Sequence, residues 1–172
     1  MSEEIKKHVI SVLVDNEAGA LARIVGLFSG RGYNIESLNV APINKEKTLS
    51  RVNIITYGTD KTVDLICKLL NRIVPVHRAA ELSKQEGYIE RELVLLKIVG
   101  DEAKRHKAME IGDKFRTNII DVEGDTIVFE IIGTSKVVDE IIEEFSKIEI
   151  HSMSRTGVVA GFRGNRTIMV ND

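Results

Sequence analysis

Hydrophobic and polar positions follow a strand, loop, helix and strand order over the N-terminal part of the chain. The apolar run Val9–Val14 is followed by the small and polar residues Asp15–Gly19. After this loop, four apolar residues recur at the spacing of a single helix face: Leu21, Ile24, Val25 and Phe28. Gly30 and Gly32 then end the predicted helix, as glycine does just past a helix C-terminus. The pattern predicts a short loop that leads directly into an amphipathic helix.

The next elements complete a small module. Ile35–Ile43 and Leu49–Tyr57 are predicted strands, and Val74–Ala80 is a predicted closing strand. Between them, Thr59 or Asp60 caps a second predicted helix. Its buried face consists of apolar residues at helical spacing: Val63, Ile66, Leu69, Leu70 and Ile73. The resulting βαββαβ order is that of ferredoxin-like domains.

The same order of elements returns in the second half of the chain. Its predicted strands and helices are, in order, Leu93–Val99, Asp101–Phe115, Thr117–Val122, Thr126–Ile132, Ser135–Phe145 and Ile148–Ser154. Residues 58–66 and 133–141 share Gly, Thr, Lys, Val, Asp and Ile at matching positions, and His77 and His151 lie in the two closing strands. We therefore predict an α+β protein of two ferredoxin-like domains, 1–82 and 91–172, joined by a polar linker at 83–90.

Composition limits the possible functions. The 172 residues are 43% hydrophobic with a formal net charge of -2, so a real core is expected and no basic face indicates nucleic acid. The longest apolar runs are far too short to cross a membrane, and the acidic N-terminus lacks a signal-peptide pattern. Cys67 is the single cysteine, which excludes an internal disulfide and favours a cytoplasmic location.

The chemistry-bearing residues indicate neither catalysis nor metal binding. The four histidines lack metal-ligand spacing, no serine lies in a nucleophile-elbow sequence, and no carboxylate pair stands out. The glycine-rich basic segment 161–166 lacks the helix and lysine of a phosphate loop, so a mobile C-terminal tail is expected there. We therefore predict no catalytic residues, no metal site and no cofactor in this chain.

The loop before the first helix is the strongest candidate for ligand binding. Free N–H groups at a helix N-terminus suit a small anion such as an amino-acid carboxylate. We predict that the N–H groups around residues 17–21 hold this carboxylate, that two asparagine amides bind the ammonium and carboxylate, and that Leu21 and Ile35 form an apolar wall. The predicted effector-binding residues are Asn16, Glu17, Ala18, Gly19, Ala20, Leu21, Asn34 and Ile35.

Several of these residues also have a purely structural explanation. Gly19 could simply ease the start of the helix, and Asn16 could be a plain helix cap. Asn34 could occupy a left-handed turn position. Leu21 and Ile35 could both be core residues. The ligand-binding interpretation is favoured because all of them fall around one predicted corner, with Asn34 supplied by a neighbouring strand or by a second copy of the chain.

Longer segments of the sequence resemble a known family. Residues 13–24 (LVDNEAGALARI) resemble the opening of an ACT domain. Residues 26–38 (GLFSGRGYNIESL) are similar to the regulatory small subunits of acetohydroxyacid synthase, also called acetolactate synthase. Further similarity lies in residues 49–51, 76–78, 89–93 and 154–159. The resemblance runs nearly the whole length of the chain.

This resemblance implies a non-catalytic partner of a large subunit. In that family the large subunit carries thiamine diphosphate, magnesium and FAD and condenses pyruvate with a second 2-oxo acid. The small subunit raises its activity and confers feedback inhibition by branched-chain amino acids, usually valine. The resemblance also implies a homodimer through the first domain. An alternative is a stand-alone ACT-type regulator that senses an amino acid without a catalytic partner.

Overall fold

The computed structural model of the protein describes residues 4–84 and 87–168. These residues form two compact units. One contains the described residues up to Ile89 together with Val158–Ile168, and the other contains Glu90–Gly157.

The first unit has the predicted βαββαβ order. Its elements are β1 (Lys6–Asp15), α1 (Ala20–Ser29), β2 (Ser37–Pro42), β3 (Leu49–Gly58), α2 (Asp60–Leu70) and β4 (Val76–Glu81). The strands form an antiparallel sheet in the order β2-β3-β1-β4. In this order the strand β2 is one edge of the sheet. Thr59 is the N-cap of α2, and its hydroxyl accepts a hydrogen bond from the N–H of Thr62.

The second unit repeats this order. Its elements are β5 (Tyr88–Val99), α3 (Glu102–Phe115), β6 (Asn118–Glu123), β7 (Thr126–Gly133), α4 (Ser135–Ser146) and β8 (Ser152–Arg155). The strands are ordered β6-β7-β5-β8. The strand β5 begins at Tyr88, inside the segment expected as the linker 83–90, of which residues 85 and 86 lie outside the described residues. The α+β class with two ferredoxin-like repeats is confirmed.

Each sheet packs its helices against one face. In the first unit Ile10, Val12 and Val14 alternate along β1 and are buried against α1 and α2. In the second unit Val94, Leu96 and Ile98 do the same on β5. The close approach of α3 to β7 requires Gly112, since an added Cβ would lie 2.8 Å from the ring of Phe129.

The opposite face of the first sheet is covered by the C-terminal segment of the chain. Strand β9 (Val159–Phe162) lies in this segment, and the N–H of Arg163 donates to Gly87 O at 2.8 Å. A second core forms here from buried residues of the sheet and of the segment: Val9, Leu13, Ile55, Leu82, Val158, Ala160 and Ile168. The mobile tail expected at residues 161–166 is therefore wrong, because this segment contains part of β9 and its Phe162 packs against the second core. The segment also returns to the first unit, whereas the sequence placed it in a domain 91–172.

Candidate functional site

The predicted loop is anchored on both sides by its first two residues. The N–H of Asp15 donates to Pro75 O at 2.8 Å, which ties the loop to the start of β4. The N–H of Asn16 donates to Thr48 O and its amide Nδ2 donates to Lys47 O, each at 2.7 Å. These contacts tie the loop to the β2–β3 connection. Because Asn16 bonds across to another loop, its interpretation as a plain helix cap is wrong.

Gly19 is the N-cap of α1 and has a left-handed backbone, with φ of 85°. No side chain caps this helix, whereas Thr59, Asp101 and Thr134 each accept an N–H at the starts of α2, α3 and α4. The N–H of Ala20 bonds back to Glu17 O at 3.2 Å. Those of Leu21 and Ala22 have no acceptor within the helix. The start of α1 therefore presents free donors beside a residue with no side chain.

Both carboxylates next to this loop face a basic side chain. Glu17 pairs with Arg23 across 3.1 Å, with both side chains about half exposed. Asp15 Oδ1 lies 2.6 Å from His77 Nε2 on β4. The partial positive charge of the helix N-terminus thus lies beside a loop in which Asp15 and Glu17 each contact a side chain of the same unit. The sequence had marked His77 only as a repeat of His151, because the contact joins residues 62 positions apart.

The two apolar residues of the predicted wall occupy different environments. Leu21 is 38% exposed, so its interpretation as a core residue is wrong in the single chain. Ile35 is partly buried and packs against the core of the first unit. The helix buries Ala20, Ile24 and Phe28, which leaves Leu21 on the open side near the loop.

Asn34 lies away from the loop in the same chain. Its carbonyl accepts the hydroxyl of Thr56 at 2.7 Å, and Thr56 pairs with His8 at the start of β1, whereas the loop follows the end of β1. The ten residues of α1 separate the two positions by about 15 Å. Asn34 is also not among the three non-glycine residues with positive φ in the described part of the chain, so the left-handed turn is wrong.

Among the described residues, one cluster of side chains that could ligate a metal was not predicted from the sequence. Ligand atoms of His8, Asp60 and Glu81 lie within 4.8 Å of one another. However, His8 Nδ1 lies 2.5 Å from Glu81 Oε1 and its Nε2 lies 3.0 Å from Gly58 O. Lys6 pairs with Asp60 at 3.0 Å, and Lys84 lies 3.6 Å from Glu81. Lys84 also bonds to Asp64, so two lysines are shared among three carboxylates, and the geometry is that of an ion-pair network.

The second unit has a comparable network without a ligand-like loop. Glu92 is buried and accepts hydrogen bonds from Ser135 and Arg155, and Arg155 also donates to Asp139 at 2.8 Å. Partial burial lowers the pKa of Arg155, but the hydrogen bonds to Glu92 and Asp139 outweigh it and raise the pKa overall. At the start of α3 the side chain of Asp101 caps the N–H of Lys104 at 2.8 Å. This helix start is therefore satisfied by its own chain.

The environment of the cysteine disfavours its reactive thiolate form. Burial raises the pKa of the Cys67 thiol to about 12, so the thiolate is scarce at neutral pH. Cys67 packs against the first core from α2. Within residues 4–84 and 87–168, no helix is long and apolar enough to cross a membrane.

Comparisons with known proteins agree with this architecture. The profile of an acetohydroxyacid synthase (AHAS) small subunit-like ACT domain matches residues 10–78, and the profile of the small subunit of acetolactate synthase matches residues 91–164. The small subunit of acetolactate synthase isozyme 3 from Escherichia coli is 40% identical over 161 residues, covering 93% of this chain and 98% of that protein. A probable acetolactate synthase small subunit from Archaeoglobus fulgidus is 39% identical over 160 residues, covering 93% of this chain and 99% of that protein.

A solved structure supports the same assignment. The small subunit of acetolactate synthase from Thermotoga maritima superposes with a TM-score of 0.84 at 33% identity and covers 94% of this chain and 99% of that one. The resemblance drawn from the sequence is confirmed. The chain belongs to the family of acetolactate synthase small subunits, and its N-terminal unit is the ACT domain of that family.

Proposed function

We propose that this chain activates a thiamine-diphosphate-dependent acetolactate synthase subunit in the cytoplasm and makes it sensitive to branched-chain amino acids, valine foremost. Family membership and the ACT domain indicate a regulatory role for the chain itself. Acetolactate formation then belongs to the catalytic partner, together with thiamine diphosphate, magnesium and FAD. The chain itself carries no cofactor and no catalytic residue in this proposal.

The uncapped start of α1 is the observation that carries the effector site. The free N–H groups of Leu21 and Ala22 receive the carboxylate of the amino acid, and Gly19 leaves room for its approach. Asn16 is held at the mouth of the loop by Lys47 and Thr48, so its amide is already oriented for the ligand. The exposed side chain of Leu21 contributes to the wall that receives the branched side chain.

Asn34 and Ile35 reach this site from a second copy of the chain. The strand β2 is a sheet edge, with Val40 41% exposed. Antiparallel pairing of two β2 strands places the start of one strand beside the end of the other. The start of β2 follows Asn34 and Ile35. The end of β2 leads into the β2–β3 connection, which holds Asn16 through Lys47 O. A homodimer therefore assembles each site from two chains.

The magnitudes suit a metabolic sensor. Micromolar to millimolar binding of a small amino acid corresponds to roughly 4–8 kcal/mol. Feedback control needs a preference of about 1–3 kcal/mol for one arrangement of the subunits. A site between two chains supplies such a preference because the ligand contacts both copies only when they are paired. The second unit, whose helix start is capped by Asp101, has a stabilising or docking role in this proposal.

Reconstitution tests this function directly. Acetolactate formation by the catalytic subunit is measured alone, with this chain, and with this chain plus valine, leucine or isoleucine. We expect the chain to raise the rate and the amino acids, valine foremost, to lower it again. A chain that binds an amino acid but neither associates with the catalytic subunit nor changes its rate would instead be a stand-alone sensor.

A further inference from the structure

The strand β4 contains an irregularity beside the effector loop. The β1–β4 register pairs Leu13 with Arg78 but Val14 with Val76, so His77 is an extra residue without a partner on β1. This is a β-bulge, a feature that redirects a side chain at the end of a strand. The shift keeps Val76 in the first core together with Val14.

The bulge places His77 against Asp15, the residue that leads into the loop. His77 Nε2 lies 2.6 Å from Asp15 Oδ1, with the imidazole 27% exposed. A carboxylate only accepts hydrogen bonds, so Nε2 carries the proton and donates it. Together with the bond from Asp15 N–H to Pro75 O, this contact fixes both the backbone and the side chain of Asp15 to β4.

Asp15 is an unfavourable neighbour for an anion unless its charge is directed elsewhere. Its carbonyl accepts the N–H of Glu17 at 3.0 Å, so any movement of Asp15 is passed on to the loop. A free carboxylate at this point would also repel the carboxylate of an amino acid that approaches the start of α1. The contact with His77 keeps the carboxylate of Asp15 oriented towards β4.

We infer that His77 is a positioning residue for the effector site: it holds Asp15 against β4 and thereby fixes the loop for carboxylate binding. This inference rests on the proposed function, because it concerns the same site. His151, which holds the matching position in the second repeat, is exposed, and its N–H donates to Lys97 O on β5. The helix that follows β5 is already capped by Asp101. His151 therefore supplies a matched control.

The test is calorimetric titration of the purified chain with valine, leucine and isoleucine. His77→Leu removes the donor, and we expect it to weaken binding about 3- to 10-fold, the range of a partly exposed pair in contact. His77→Gln keeps an N–H donor near the same place and should bind within about twofold of the wild type. His151→Leu should bind as the wild type does. His77→Asn, polar but too short to reach Asp15, is a second loss variant if His77→Leu unfolds.

A double-mutant cycle separates positioning from general stability. Asp15→Asn removes the charge that His77 holds, so His77→Leu should change the affinity much less in the Asp15→Asn chain than in the wild type. Equal losses in both backgrounds, or a His77→Leu chain that binds as the wild type does, would overturn the inference while leaving the proposed function intact. A wild-type chain that binds none of the three amino acids would overturn both.

Discussion

At the scale of single residues, Gly19 determines whether the effector site is open. Its φ of 85° is unfavourable for any side chain, and no atom beyond its two chain neighbours lies within 4 Å of where a Cβ would be. Gly19→Asp costs about 1–2 kcal/mol in backbone strain and places a carboxylate where the effector carboxylate binds. We expect inhibition by valine to be lost, with affinity lower by about tenfold or more, while most of the activation of the catalytic subunit survives.

The matched control for this change is Gly124→Asp. Gly124 also has positive φ, 57°, and open space around its Cβ position, but it lies in the turn between β6 and β7 of the second unit. Its substitution introduces the same charge and a similar strain away from the loop. Valine titration of reconstituted enzyme should show normal inhibition with Gly124→Asp. Equal inhibition of the wild type and Gly19→Asp would remove the loop from the site.

Prediction from sequence succeeded for some of these residues and failed for others, for physical reasons. The apolar stripe correctly included Ile24 and Phe28, but the helix buries every fourth residue from Ala20, which turns Leu21 outward. The role of Asn16 was missed because its partners Lys47 and Thr48 belong to another loop. Local spacing identifies which residues share a helix face, but not which distant backbone a side chain meets.

At the scale of elements, the C-terminal segment closes the first unit. Without it, Val9, Leu13 and Ile55 on the outer face of the sheet would face water. The sequence did not reveal the short strand β9, because two glycines and two arginines in residues 161–166 obscure its pattern. Its contacts with the first unit also join residues that are far apart in the sequence. The predicted βαββαβ order succeeded because each element has a local pattern.

Two adjacent valines in this segment make a direct test. Val158 is 1% exposed, whereas Val159 is 49% exposed. Val158→Ala should lower the free energy of unfolding by about 2 kcal/mol through lost burial and a small cavity. Val159→Ala should change it by less than about 0.5 kcal/mol. Urea unfolding followed by circular dichroism measures both. Equal effects would mean that the segment does not cover the sheet in solution.

At the scale of the whole molecule, the proposed effector site requires two copies of the chain. In the single chain the loop and Asn34 lie at opposite ends of α1. The sequence placed them at one corner because only a short helix separates them. The sequence did predict a corner between them and left open that Asn34 comes from a second copy. The edge strand β2 is the element that brings the two halves together in the proposed dimer.

Disrupting this edge should remove dimer and effector binding together. The N–H of Ile43 bonds to Leu49 O, and alternation along β2 directs the N–H of Val40 away from β3. Val40→Pro removes this outward donor and should give a monomer that binds no branched-chain amino acid. Val40→Thr retains the N–H and β-branching and should remain dimeric. Sedimentation analysis with parallel calorimetry checks this, and a dimeric Val40→Pro chain would exclude β2 pairing.

The most direct measurement mixes two defective chains. Gly19→Asp and Asn34→Ala damage different halves of the proposed site, so each homodimer alone should bind valine about tenfold or more weakly than the wild type. After denaturation and joint refolding of equal amounts, about half of the dimers are mixed and each has one intact site, which gives about one site per four chains by calorimetry. Recovery of this binding is the result we predict. No recovery, with mixed dimers demonstrated by mass spectrometry, would contradict a site shared between two chains.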